Sequence, residues 1–149
     1  MTAPSPTMSP RRSFPFVRAV LAYLLPTFAI GFVWHLVAFH AHYTQLAIYR
    51  AEPLIPFGFA SMVVQALVFA WAYPRLFDTD RAVWKRSALR AGLVFAALSW
   101  SFTTLAVAAK HPMSSVADYV LIETAFTVCQ FAIVAPLIAL AWRGVDSAK

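Results

Sequence analysis

Four apolar runs dominate the chain, and each reaches the roughly 20 residues that a helix needs to cross the hydrocarbon of a bilayer. They are Val17–Phe39, Leu54–Tyr73, Ala88–Ala109 and Val116–Trp142. In hydrocarbon every peptide N–H and C=O needs an internal partner, so single segments of this kind become helices. The last run is the longest; it either tilts or extends past the bilayer surface. The expected fold class is therefore all-α: an integral membrane four-helix transmembrane bundle. Composition agrees. Only 12% of the 149 residues are charged, against about a quarter in soluble domains.

The cations set an orientation. Arg11, Arg12 and Arg18 flank the first run; Arg75, Arg81, Lys85, Arg86 and Arg90 fill the connection between the second and third; Arg143 and Lys149 follow the fourth. The other two connections hold only Arg50 and Lys110. By the positive-inside rule both termini and the middle connection are expected in the cytoplasm. The imbalance also argues against a dual-topology exporter. The net charge of +6 is spent on orientation, and without a basic patch interleaved with exposed aromatics it does not point to nucleic acid. Tyr43, Tyr49 and Tyr119 are expected at the outer interface, and Trp71, Tyr73 and Trp142 at the inner one, where amphipathic rings settle.

Residues 1–15, rich in Pro, Ser and Thr, read as a disordered cytoplasmic tail, 16–143 as the four-span domain, and 144–149 as a second cytoplasmic tail. Pro10-Arg11-Arg12-Ser13-Phe14 is similar to a twin-arginine export signal. The apolar run after it is too long for a signal and lacks a small-x-small cleavage site, so it reads as an uncleaved first span. Cys129 is the only cysteine, which excludes paired-thiol chemistry.

Each run carries a polar stripe at helical spacing. The stripes are Thr27, Gly31, His35 and His42; Gly58, Ser61 and Gln65; Ser99, Thr103 and Lys110; and Glu123, Thr127 and Gln130. Residues three, four or seven apart share one helix face, and in lipid polar faces turn inward. A polar seam along the bundle axis follows, with Gln65 and Gln130 as a mid-membrane polar pair. The titratable groups crowd the outer end: His35, Arg50, Glu52, Lys110, His111 and Glu123. Ser115-x-x-Asp118 reads as a capping box opening the fourth helix, which puts Glu123 about 10 Å down that helix. Pro26 and Pro136 are candidate kinks. The connection from Phe39 to Pro53 mixes apolar and amphipathic residues and reads as a segment lying on the membrane surface, with a short helix as one possibility.

An ionisable group inside a span is a functional-site hypothesis with a partner to name; for Glu123 the candidates are Lys110, Arg50 and His35. The plain reading is structural: an ion pair and a Gln–Gln contact that fix the bundle. A sharper one is a metal site of His35, His111 and Glu123, since imidazole and carboxylate suit transition metals. The spacing argues against it, and against a bis-histidine haem, so no cofactor is assigned. A third is handling of a proton or small polar ligand through Glu123 and His35.

His42-Tyr43-Thr44-Gln45-Leu46-Ala47-Ile48-Tyr49-Arg50-Ala51-Glu52-Pro53, Ile55-Pro56-Phe57-Gly58, Ser61-Met62-Val63-Val64-Gln65, Ala108-Ala109-Lys110-His111-Pro112 and Leu121-Ile122-Glu123-Thr124-Ala125-Phe126 together resemble small four-helix bacterial inner-membrane proteins of unknown function. The resemblance spans Val17 to Trp142. It implies the same architecture in a bacterial inner membrane and supplies no activity. The expected role is non-enzymatic: an accessory or structural subunit of a homo-oligomer or larger membrane complex, its partners the lipid bilayer and other membrane subunits. The alternative is a small binding or transport protein acting at the periplasmic side.

Overall fold

The computed structural model describes residues 10–50, 52 and 54–145, with side chains from Ser13 onward. The described residues are all helix and connection. Helix α1 (Pro10–Phe32) continues into a π-helical segment, Val33–Ala38, and a short α2 (His40–Gln45) follows. Then come α3 (Ile55–Leu76) and α4 (Trp84–Trp100), which continues through a second π-helical segment, Ser101–Leu105, into the single turn α5 (Ala106–Ala108); α6 (Val116–Trp142) is last. Four stretches are long and apolar enough to span a membrane: Ser13–Ala38, Ile55–Leu76, Trp84–Ala108 and Val116–Trp142.

The helix ends follow local chemistry. Ser115 caps α6, its hydroxyl accepting from the Asp118 backbone N–H at 3.2 Å. Pro56 sits in the first turn of α3, where a missing N–H costs nothing. After α3 the chain turns through Asp78 and Asp80, whose carboxylates accept from the backbone of Asp80 and Ala82. Gly144, just after α6, stands at φ 77°, the left-handed conformation glycine adopts freely. Two boundaries differ from expectation. Helix begins at Pro10, so residues 10–15 belong to α1, while residues 1–9 of the expected tail and residues 146–149 lie outside the described residues. The third span starts at Trp84, because Lys85, Arg86 and Arg90 continue the helix beyond the apolar run.

Helix α6 is the most buried of the four; it packs on α1 and α4, and α1 packs on α3. The core lies toward the arginine-rich end, which carries the α3–α4 connection and the C-terminus. It is built on aromatic rings and small residues: Tyr23 edge-on to Phe69 at 5.4 Å, Phe69 stacked on Phe95 at 4.2 Å, and Ala19, Ala66, Ala70 and Ala139 filling between helices. Small residues let helix backbones approach in lipid, where packing rather than hydrophobicity drives association. Gly92 takes this furthest: a Cβ there would lie 3.0 Å from the Cβ of Ala135. Gly92→Leu should therefore wedge α4 from α6 and cost about 1–3 kcal/mol, seen as a lower midpoint in thermal or SDS unfolding; an unchanged midpoint would show that this crossing tolerates side-chain bulk.

At the arginine-rich end the Gly144 N–H donates to the Thr79 carbonyl at 2.7 Å and the Thr79 hydroxyl donates to the Val145 carbonyl at 2.5 Å. These bonds tie the middle connection to the end of α6. At the opposite end, the Ser114 N–H and hydroxyl donate to the carbonyls of Leu46 and Gln45 at 3.1 and 2.8 Å. That stitch fastens α2 over the helix ends as a lid.

Candidate functional site

Glu123 is the acid in the middle of a helix, and α6 turns it inward, because Tyr119, Glu123 and Thr127 recur every four residues on the buried face. It is 6% exposed. Its Oε1 lies 3.2 Å from Nε2 of His35, the one ion pair among the described residues. The other ring nitrogen, Nδ1, lies 3.0 Å from the carbonyl of Gly31. A carbonyl can only accept, so Nδ1 carries hydrogen. The Nε2–Oε1 contact then needs a second proton, on the ring or on the carboxyl. Either arrangement lodges one proton between the two side chains and leaves the pair with no net charge.

Tyr43 completes the group. Its hydroxyl donates to the same Oε1 at 2.6 Å, a short hydrogen bond. The lid delivers it: α2 folds back over the bundle, Tyr43 and Leu46 are buried against Tyr119, and the Tyr43 ring stacks on Tyr49 at 5.3 Å. Burial first, and Glu123 second, push the Tyr43 hydroxyl far above the ordinary tyrosine range; burial and then Glu123 push Tyr49 the same way. Both therefore stay protonated donors. His35 is held between rings as well, 4.8 Å from Tyr43 and edge-on to Phe126 at 4.5 Å. It stands in the π-helical segment of the first span, a distortion frequent at functional sites.

Deeper in the bundle lies a second network. Gln65 and Gln130 meet through a bridging side chain and not by a direct hydrogen bond. Tyr23 stands between them: its hydroxyl donates to Oε1 of Gln65 at 2.7 Å and accepts from Nε2 of Gln130 at 3.2 Å. Ser99 adds a bond to Gln65 at 3.1 Å, and Gln130 a bond to Thr27 at 3.1 Å. All four spans thus meet in one set of hydrogen bonds.

Between the two networks is a cavity of about 660 Å³. It exists because the first half of α3 leaves the bundle. Residues 54–61 are all exposed, and buried α3 positions begin at Ala66. Thr27, Gly31, His35, Gly58, Ser61, Gln65, Ser99, Thr103, Thr127 and Gln130 line it, which are the stripe residues inside the spans except Glu123. The remaining wall is mostly apolar and aromatic, with Phe28, Phe32, Phe59 and Phe126; Tyr49 and Arg50 stand at the lid end. Glu123 sits behind His35 and reaches the cavity only through it.

The outer cluster expected from sequence divides. His35 and Glu123 come together. Arg50, Glu52, Lys110 and His111 are exposed, and none has an ion pair with Glu123. The candidate metal set of His35, His111 and Glu123 does not assemble: among the described residues no three His, Cys, Asp or Glu side chains converge, because His111 is held in the turn before Pro112. The residues of the expected aromatic belts differ in burial. Tyr43, Tyr73, Tyr119 and Trp142 are buried, while Trp71 is exposed with the Arg75 guanidinium 4.3 Å over its ring. Tyr43 is buried because its hydroxyl has Glu123 to bind. Tyr119 is buried because its hydroxyl donates to the Thr103 carbonyl at 2.7 Å.

Family models, curated proteins and solved structures were compared with the chain, and none matches.

Proposed function

We propose that this multi-pass membrane protein is a non-enzymatic binding protein that takes a small molecule into the cavity between α1, α3 and α6. The observation that carries this reading is the cavity itself. It has the size of an ordinary small-molecule site, with a mostly apolar wall and a few placed polar groups. An interior serving only as glue would have closed around its polar stripes, since packing is what holds helices together in lipid. The charge distribution supports both termini being cytoplasmic, and in a bacterial inner membrane the lid and His35–Glu123 would then face the periplasm. His35 lines the cavity, and its ring is held by Glu123, by the Gly31 carbonyl and against the Tyr43 ring. The accessory-subunit reading draws on the exposed first half of α3, a face available to another membrane chain or a second copy.

Native mass spectrometry of protein extracted gently from its own membranes separates the two. A Cβ at Gly58 meets nothing within 4 Å, so Gly58→Trp can block the cavity without straining the backbone. A small-molecule adduct on the 16.5 kDa chain that disappears in Gly58→Trp is the expected result. A bare chain, or a chain seen only with other subunits, would overturn the binding reading.

A further inference from the structure

The charges around the cavity narrow its guest, granted the binding reading above. Among the described residues, His35 and Arg50 are the only basic side chains that line it, and no acidic side chain does. His35 is already spent, with both ring nitrogens engaged by Gly31 and Glu123. Most of the floor is spent too: Oε1 of Gln65 accepts two hydrogen bonds and Nε2 of Gln130 donates two. Arg50 has no ion pair among the described residues. Its neighbours in charge at this end, Glu52, Lys110 and Asp118, are exposed and do not line the cavity. A planar guanidinium with open donors, at the mouth of an apolar chamber, selects a carboxylate or other anionic head.

Depth fixes the rest. Ile55 at the mouth and Gln65 at the floor are ten residues apart on one helix, about 15 Å at 1.5 Å per residue. The wall over that distance is Phe28, Phe32, Phe59 and Met62. This is a slot for one extended apolar chain.

We infer that the cavity binds a single-chain anionic amphiphile, a free long-chain carboxylate, with its head on Arg50 and its chain running between α1 and α3 toward Gln65. The test uses the full chain in phosphatidylcholine vesicles and two photoreactive probes, a diazirine-bearing dodecanoate and the matching dodecanol. The expected result is labelling of the α1 and α3 walls by the acid, about tenfold above the alcohol, as one charge-assisted hydrogen bond would give. Arg50→Gln, at an exposed position, should erase the difference while leaving alcohol labelling unchanged. Equal cavity labelling by both probes, unaffected by Arg50→Gln, would overturn the anionic head and leave the binding reading intact. Displacement of the acid by phosphatidylglycerol added to the vesicles would assign the anion to a bilayer lipid and overturn the free carboxylate. Labelling that avoids the cavity, or that Gly58→Trp does not reduce, would remove both this inference and the reading beneath it.

Discussion

Replacing Glu123 with alanine should destabilise the bundle by about 3–5 kcal/mol, the usual cost of removing one partner from a buried pair. The loss has two named parts. The Tyr43 hydroxyl is buried under the lid and loses its acceptor at 2.6 Å, and Nε2 of His35 loses its partner at 3.2 Å. The fully buried Tyr43 hydroxyl is left unsatisfied, whereas His35, which lines the cavity, keeps access to water there. Glu123→Gln should cost less, about 1–3 kcal/mol. Its amide oxygen can still accept from Tyr43, but it cannot share a proton with His35. SDS or thermal unfolding of the three proteins in the same detergent gives the comparison. The lid should also loosen in the alanine variant, read as faster amide exchange across residues 40–46. If alanine and glutamine prove equal, the Tyr43 bond is not what holds the lid.

Tyr23 should be nearly as costly, with its loss split differently. Tyr23→Ala removes a ring that is 1% exposed and packed against Phe69 and Phe131, for about 3–5 kcal/mol. Tyr23→Phe keeps the ring and removes only the bridge between Gln65 and Gln130. Each glutamine retains another partner, Ser99 or Thr27, so the expected cost falls to the 0.6–1.7 kcal/mol typical of interhelical hydrogen bonds, roughly speaking. A cycle combining Tyr23→Phe with Gln130→Leu isolates the bond at 3.2 Å. Strict additivity in that cycle would mean that the Tyr23–Gln130 bond contributes nothing.

These two residues also mark what could be read from the sequence. The polar stripes were legible, because hydrocarbon leaves little choice about which helix face turns inward. Glu123 and His35 stood out for the same reason. Tyr23 was within reach: it lies four residues before Thr27 and extends that stripe by one turn, yet its neighbours are apolar and its ring suits lipid equally well. Tyr43 was not legible. A tyrosine in a connection reads as an interfacial anchor, and only the fold of α2 back over the helix ends makes it a core residue. The cavity follows from the course of α3, which leaves its partners before Ala66. No periodicity encodes that departure, since a face toward lipid and a face toward an apolar chamber have the same composition. The π-helical segments, Val33–Ala38 and Ser101–Leu105, leave no mark in the residue pattern either.

The pairing of His35 with Glu123 has an electrical consequence. A membrane potential acts on net charge, at about 2.3 kcal/mol per elementary charge per 100 mV. With one proton lodged between them, the pair presents none. The four spans bury no other formally charged side chain among the described residues. The bundle interior thus offers the field no net charge to act on, and what response it has comes from dipoles alone.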